Sequence, residues 1–236
     1  MRAMVTNLSN VTPLGIGYYT VPEAARLLRM PAVNIRRWLG GYRYTKGNDE
    51  FIMPPLWTPQ LPRHDDHLEL GFRDLIELRF VHAFTKANLS LITIRRCLEF
   101  ARDCVEDDRP FSTRRFQTDG RTIFLNSALQ TGKEELLDLT KRQYVLKQII
   151  ERTFKDLDIE NDAVTRWRPF KGKNSIVIDP LRAFGQPIAT NYGVPTTTLA
   201  DSVEAEGSVN RVAQLFEVPA QVVRDAVQFE KALIAA

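Results

Sequence analysis

The chain has 236 residues, 44% of them hydrophobic and 26% charged, the balance of an ordinary soluble globular protein long enough for two modest cores. Its 32 Lys and Arg against 29 Asp and Glu leave a formal charge of +3, too small a surplus to identify a polyanionic partner without a local concentration of charge. No stretch is apolar for long enough to span a bilayer, and the opening MRAMVTNLSN lacks the basic flank and apolar run of a secretory signal, so a cytoplasmic protein with no membrane partner is expected.

The first organised segment is Tyr19 to Leu39. Thr20 and Glu23 form a T-x-x-E capping box that opens a helix through Leu28, and Pro22 suits its first turn. Arg29, Met30 and Pro31 interrupt the pattern before a second short helix, Ala32 to Leu39, which Gly40 and Gly41 end. Two short helices joined by so brief a break read as a helix-turn-helix. Tyr42 to Pro62, with Pro54, Pro55, Pro59 and Pro62, reads as an extended wing or loop.

Phe72, Leu75, Ile76, Phe80, Ala83 and Phe84 then follow a helical period, and a second amphipathic helix starts at Ser90 as N-cap and runs through Val105. Cys97 and Cys104 fall in that helix, about 10.5 Å apart along its axis, beyond disulfide reach, and are expected as small core residues. In RRFQTDGRTIFLN, Asp119-Gly120 is read as a two-residue hairpin turn pairing Phe116 with Ile123. A charged helix, Glu134 to Leu157, carries a stripe including Leu136, Leu137, Leu139, Tyr144, Leu146, Ile150 and Phe154 that is either buried or dimer-forming. The basic stretch Arg166 to Asn174 is expected as a linker. Beyond it come a strand, Ser175 to Asp179, and helices at Thr198 to Ala205, Val209 to Phe216 and Ala220 to Ile234, the last two forming a second helix-turn-helix-like unit.

At YYTVPEAARLLRMPAVNIRRWL the chain resembles MerR-type regulators, the match lying in Ile35, Arg36, Arg37 and Trp38. The run FRDLIELRFVHAFTKANLSLITIRRCLEFAR is similar to the helix pair that follows the wing in that superfamily. The C-terminal part, with Asp179, Pro180, Gly185, Pro187, Gly193, Pro195 and Gly207, looks like the small domain of a VapB-like group of antitoxins, which are encoded beside PIN-like ribonuclease toxins. The resemblance implies a mainly α fold with small β hairpins: a MerR-like winged helix-turn-helix at residues 1–130, a connecting helix and linker at 131–174, and a small helical, helix-turn-helix-like domain at 175–236. It further implies an antitoxin that binds double-stranded DNA at its own operator, represses its operon and neutralises a PIN-like toxin. A stand-alone MerR-like regulator is the alternative. The usual effector features of MerR regulators, such as a cysteine-lined metal site, are not found.

In a helix-turn-helix the second helix lies in the major groove, which places Ala32, Val33, Asn34, Arg36 and Arg37 near DNA, with Asn34 suited to adenine. Arg36 and Arg37 point about 100° apart, so at least one should meet phosphate; the bland alternative is a solvated helix face. Trp38 is expected in the core. Arg43, Tyr44 and Lys46 form a basic, aromatic cluster in the wing suited to backbone or minor-groove contact. Arg95-Arg96, Arg114-Arg115 and the group Arg166, Arg168, Lys171 and Lys173 are either a positive track or exposed solubilising charge. In the C-terminal unit, Thr196, Thr197, Arg211 and Arg224 are candidates for DNA contact, with a dimer or toxin platform equally open. His64-Asp65-Asp66-His67 would be the only start of a metal-dependent enzyme and reads instead as an exposed loop, so no catalysis, metal or cofactor is expected. A homodimer matched to a palindromic operator is expected, through the Glu134 to Leu157 helix or the C-terminal domain.

Overall fold

The computed structural model describes residues 15–63, 65, 67–129 and 143–234. Strand β1 (Tyr19–Thr20) leads into α1 (Val21–Leu28), whose N-terminus is closed as the sequence requires: Thr20 Oγ1 accepts from the Glu23 amide, and the Glu23 carboxylate accepts from the Thr20 amide at 2.8 Å. Arg29 ends α1 in the left-handed region at φ 52°, and Met30 packs into the core at the break. Helix α2 (Ala32–Gly40) follows, burying Ile35, Trp38 and Leu39, the last of which is 1% exposed.

Strands β2 (Tyr42–Lys46) and β3 (Asp49–Met53) form an antiparallel hairpin with Tyr44 opposite Phe51. The proline-rich remainder of the expected wing folds back instead of extending: Leu56, Trp57 and Leu61 are buried. Asp74, fully buried on α3 (Phe72–Lys86), fastens it by accepting from Trp57 Nε1 at 3.0 Å and from the Gln60 amide at 2.7 Å, with Arg109 pairing at 2.9 Å. Strand β4 (Glu69–Leu70) pairs antiparallel with β1, holding the start of α1 against the start of α3. Helix α4 (Leu91–Val105) begins at Ser90, whose hydroxyl accepts from the Thr93 amide, and buries Cys97 completely.

The segment read as a hairpin around Asp119-Gly120 is a continuous helix, α5 (Arg114–Leu129). Its buried residues Phe116, Gly120, Ile123, Phe124 and Ser127 recur at helical spacing, and the Thr113 hydroxyl caps the start by accepting from the Phe116 amide at 3.1 Å. Gly120 serves close approach here, since a Cβ on it would meet Ile150 Cδ1 at 3.0 Å. Helix α6 (Gln143–Phe154) supplies that Ile150, together with buried Leu146 and Phe154. Of the expected stripe, Leu136, Leu137 and Leu139 lie outside the described residues, and Tyr144 is exposed. The centre of the core is aromatic: Phe80 meets Phe154 at 4.8 Å, Phe111 meets Phe116 at 4.6 Å and Phe84 meets Phe124 edge-on at 4.8 Å.

Strands β5 (Leu157–Glu160), β6 (Ala163–Trp167), β7 (Ile176–Ile178) and β8 (Pro187–Ala189) form one antiparallel sheet in that order. The sheet runs through the stretch expected as an exposed linker. Trp167 pairs with Ile178, and Trp167 and Phe170 are buried, so these two aromatics anchor a segment that its charges made look detached. Its cations are largely paired: Arg168 with Asp158, Arg166 with Glu160, and Lys173 with Asp225 at 3.6 Å.

Helices α7 (Thr196–Glu206), α8 (Val209–Leu215) and α9 (Ala220–Ile234) build a second, smaller core around Leu199, Val212, Val218, Val223 and Ala226. Ser208 caps α8, and a sharp break with Glu217 at φ 53° separates α8 from α9. Phe229 and Leu233 of α9 enter the main core, and Tyr19 Oη donates to the Gly185 carbonyl at 2.7 Å, so the two cores are joined.

Candidate nucleic-acid interface

Helix α2 is amphipathic across its width. Ile35, Trp38 and Leu39 are buried in the main core, with α1 against them, which leaves Val33, Arg36, Arg37 and Gly40 on the opposite face at spacings of three and four residues. Val33 is 55% exposed, and Arg36 forms no ion pair or hydrogen bond with any described residue. Asn34 is half-buried. Ala32, also half-buried, packs against the core, so it lies on the inner side rather than on the face with Arg36. Trp38 is 6% exposed, as its aliphatic neighbours predict.

The hairpin is tied to this face by an aromatic series. The Arg37 guanidinium lies 4.2 Å from the centre of the Tyr42 ring, Tyr42 and Tyr44 are 6.0 Å apart, and Tyr44 stacks on Phe51 at 5.4 Å. Arg37 is therefore partly spent on positioning the hairpin, whereas Arg36 is not. Arg43 is exposed and reaches Glu50 at 3.6 Å, a solvent-screened contact that leaves it available to a stronger anion. Lys46 lies at the end of β2, opposite Asp49 in the strand register.

Two hollows flank α2. On the hairpin side, a groove of about 380 Å³ is lined by Arg37, Tyr42, Tyr44, Met53 and Ile92. On the other side, a broader cleft is lined by Arg36, Gly40, Arg63, His67 and Thr20. Arg63 joins this surface without any sequence signal: its guanidinium approaches Gly40 because the loop 54–63, anchored by buried Leu56, Trp57 and Leu61, brings it back beside α2, a long-range consequence of Asp74. His64 and Asp66 lie outside the described residues and His67 is exposed; among the described residues, no group of three His, Cys, Asp or Glu is placed to hold a metal.

Several of the other basic candidates have structural partners. Arg95 donates to the Pro54 and Pro55 carbonyls at 2.7 and 2.9 Å, and Arg114 to the Ile159 carbonyl. In the C-terminal unit Thr196 is fully buried and bonded to Glu230, and Arg211 pairs with Glu206 at 2.8 Å. These residues hold the fold.

Residues 17–98 match the family described as "Putative DNA-binding HTH domain". Over 220 residues the chain is 26% identical to "Putative antitoxin VapB45" of Mycobacterium tuberculosis, spanning 89% of this chain and 92% of that protein. The fold is similar to the crystal structure of Rv2018 from Mycobacterium tuberculosis, with a TM-score of 0.71 and 25% identity over 89% of this chain and 96% of that one. The chain is thus mainly helical with small antiparallel sheets and an N-terminal helix-turn-helix domain. No described helix is long and apolar enough to cross a membrane.

Proposed function

We propose that this protein is a DNA-binding antitoxin that represses its own operon and neutralises a PIN-like ribonuclease toxin. The observation that carries the DNA half is the outer face of α2, where Val33, Arg36 and Arg37 stand clear of the core on the second helix of a helix-turn-helix. Arg36 carries an unspent bidentate donor for guanine or phosphate. Val33 offers an apolar contact for a thymine methyl, and Asn34 stands beside it at the start of the helix. In a MerR-like winged arrangement, the β2–β3 hairpin would lie along the backbone or minor groove through Arg43, Tyr44 and Lys46, its angle set by the Arg37–Tyr42 contact.

The antitoxin half is supported by similarity along nearly the full length to a protein named as an antitoxin. In this reading the protein acts in the cytoplasm as a symmetric dimer on a palindromic operator. A direct test uses the purified chain and the fragment upstream of its gene in a mobility-shift assay, and co-expression with the neighbouring gene product. A salt-sensitive shift of that fragment over a scrambled duplex, with a stable complex on co-purification, is the expected result. Absence of any preferred duplex removes the repressor reading; absence of a complex removes the antitoxin reading alone.

A further inference from the structure

A second charged cleft, of about 320 Å³, lies away from α2 where the end of α1, the end of α6, the β6–β7 turn and the outer part of α9 meet. Its ionisable lining is Arg29, Arg152, Lys155, Lys171 and a single acid, Asp156. Asp156 is already committed: it accepts from Arg79 Nη2 at 2.6 Å and from Trp167 Nε1 at 3.0 Å. Arg79 is half-buried behind it, its other terminal nitrogen buried without a partner among the described residues, so the Asp156 carboxylate is committed to that charge rather than to the cleft.

None of the other four cations pairs with a described residue. Arg73, Arg109, Arg168 and Lys173, by comparison, each reach a carboxylate. Two of the four are presented from left-handed backbone, Arg29 at φ 52° and Lys171 at φ 53°, although neither is glycine. At Arg29 this is the left-handed cap that ends α1. A concave site holding four cations against one committed acid, walled by the buried Phe170 and Phe229, also focuses a positive field on whatever enters it.

We propose that this cleft binds phosphate. A lone carboxylate neutralises one cation, whereas a phosphate group brings up to two charges and three acceptor oxygens, enough to engage guanidinium and ammonium groups arriving from separate segments. The phosphate comes either from a duplex backbone or from a free phosphorylated molecule. Only the duplex source rests on the DNA reading above.

The test uses the full chain and the double variant Arg152→Ser with Lys155→Ser, both residues being exposed and outside the α2 face. Equal melting temperatures establish that the variant folds. Pyrophosphate is titrated calorimetrically, and in parallel the salt dependence of binding to the upstream duplex is measured. The parent is expected to bind pyrophosphate about tenfold or more tightly than the double variant, while Arg152→Lys with Lys155→Arg retains binding. A salt slope smaller by about two in the double variant assigns the phosphate to the duplex, and an unchanged slope with lost pyrophosphate binding assigns it to a free compound. If neither pyrophosphate affinity nor slope changes, the site does not exist. Should the parent bind no duplex at all, the repressor reading fails and the pyrophosphate titration decides the site alone.

Discussion

The junction between the two cores can be tested at a single hydrogen bond. Tyr19 is 2% exposed, and burial beside Glu23 and Asp179 pushes its phenol well above the ordinary range, so it remains a donor to the Gly185 carbonyl at 2.7 Å. Tyr19→Phe strands that carbonyl, a cost of about 1–2 kcal/mol, or about 2–8 °C in melting temperature for a chain of this size. Gly185→Ala should cost more, for two reasons. Gly185 sits at φ 80°, where a Cβ adds about 1–2 kcal/mol. That Cβ would also stand 2.4 Å from Tyr19 Oη and 3.2 Å from Gly17 Cα. Overpacking of this kind adds about 1–3 kcal/mol. The closest contact is with the oxygen that Tyr19→Phe removes, so the two changes cannot be additive. In thermal or urea unfolding, Gly185→Ala should be milder by about 1 kcal/mol when combined with Tyr19→Phe than in the parent. Strict additivity, or a Gly185→Ala protein that melts like the parent, would show that this contact does not join the two cores.

Buried groups elsewhere give three further tests. Glu77 is fully buried and burial raises its carboxyl to about 7, although Arg73 and the Ser112 and Phe111 amides oppose the shift. A carboxyl raised in the folded state stabilises it at low pH and loses that contribution as pH rises, here from the ordinary 4.5 to about 7. Across that window the parent should lose on the order of 3 kcal/mol relative to Glu77→Gln in urea melts, and parallel pH profiles would contradict this. Gly120→Val should destabilise by about 2 kcal/mol by forcing Ile150 and Phe116 apart, whereas a hairpin turn at Asp119-Gly120 would leave the α5–α6 contact untouched. Asp156→Ala should cost about 1.5–3 kcal/mol because it removes a charge-assisted partner from the half-buried Arg79, and restoration by Arg79→Met in the double variant is the diagnostic result.

Local signals in the sequence were legible where one short-range principle decides. The Thr20/Glu23 box, the Ser90 and Ser208 caps and the 3.6-residue spacing of α3 and α4 were each visible without tertiary information. The amphipathicity of α2, with Trp38 inside and Arg36 outside, follows from the same spacing. Asp119-Gly120 misled because the turn preference of that pair is weaker than the burial of Phe116, Ile123 and Phe124 on one helical face, where glycine gives room to Ile150. The stretch 166–174 misled for the opposite reason: its charge suggests exposure, yet Trp167 and Phe170 anchor it and two of its cations find carboxylates on the neighbouring strand β5. Arg63, Asp74 and the Arg29–Lys171 cleft depend on long-range folding and left no sequence trace.

Whether α2 presents its outer face to a DNA groove is measured most directly by the salt dependence of Arg36→Ala. Arg36 is exposed and pairs with no described residue, so its loss should leave the melting temperature within about 1 °C of the parent. Binding to the upstream duplex should weaken about tenfold or more, with a salt slope smaller by about one if the guanidinium meets phosphate, or relaxed preference at one base pair if it meets guanine. An Arg36→Ala protein that binds the same duplex with the same affinity, slope and sequence preference would contradict the placement of α2 in the groove.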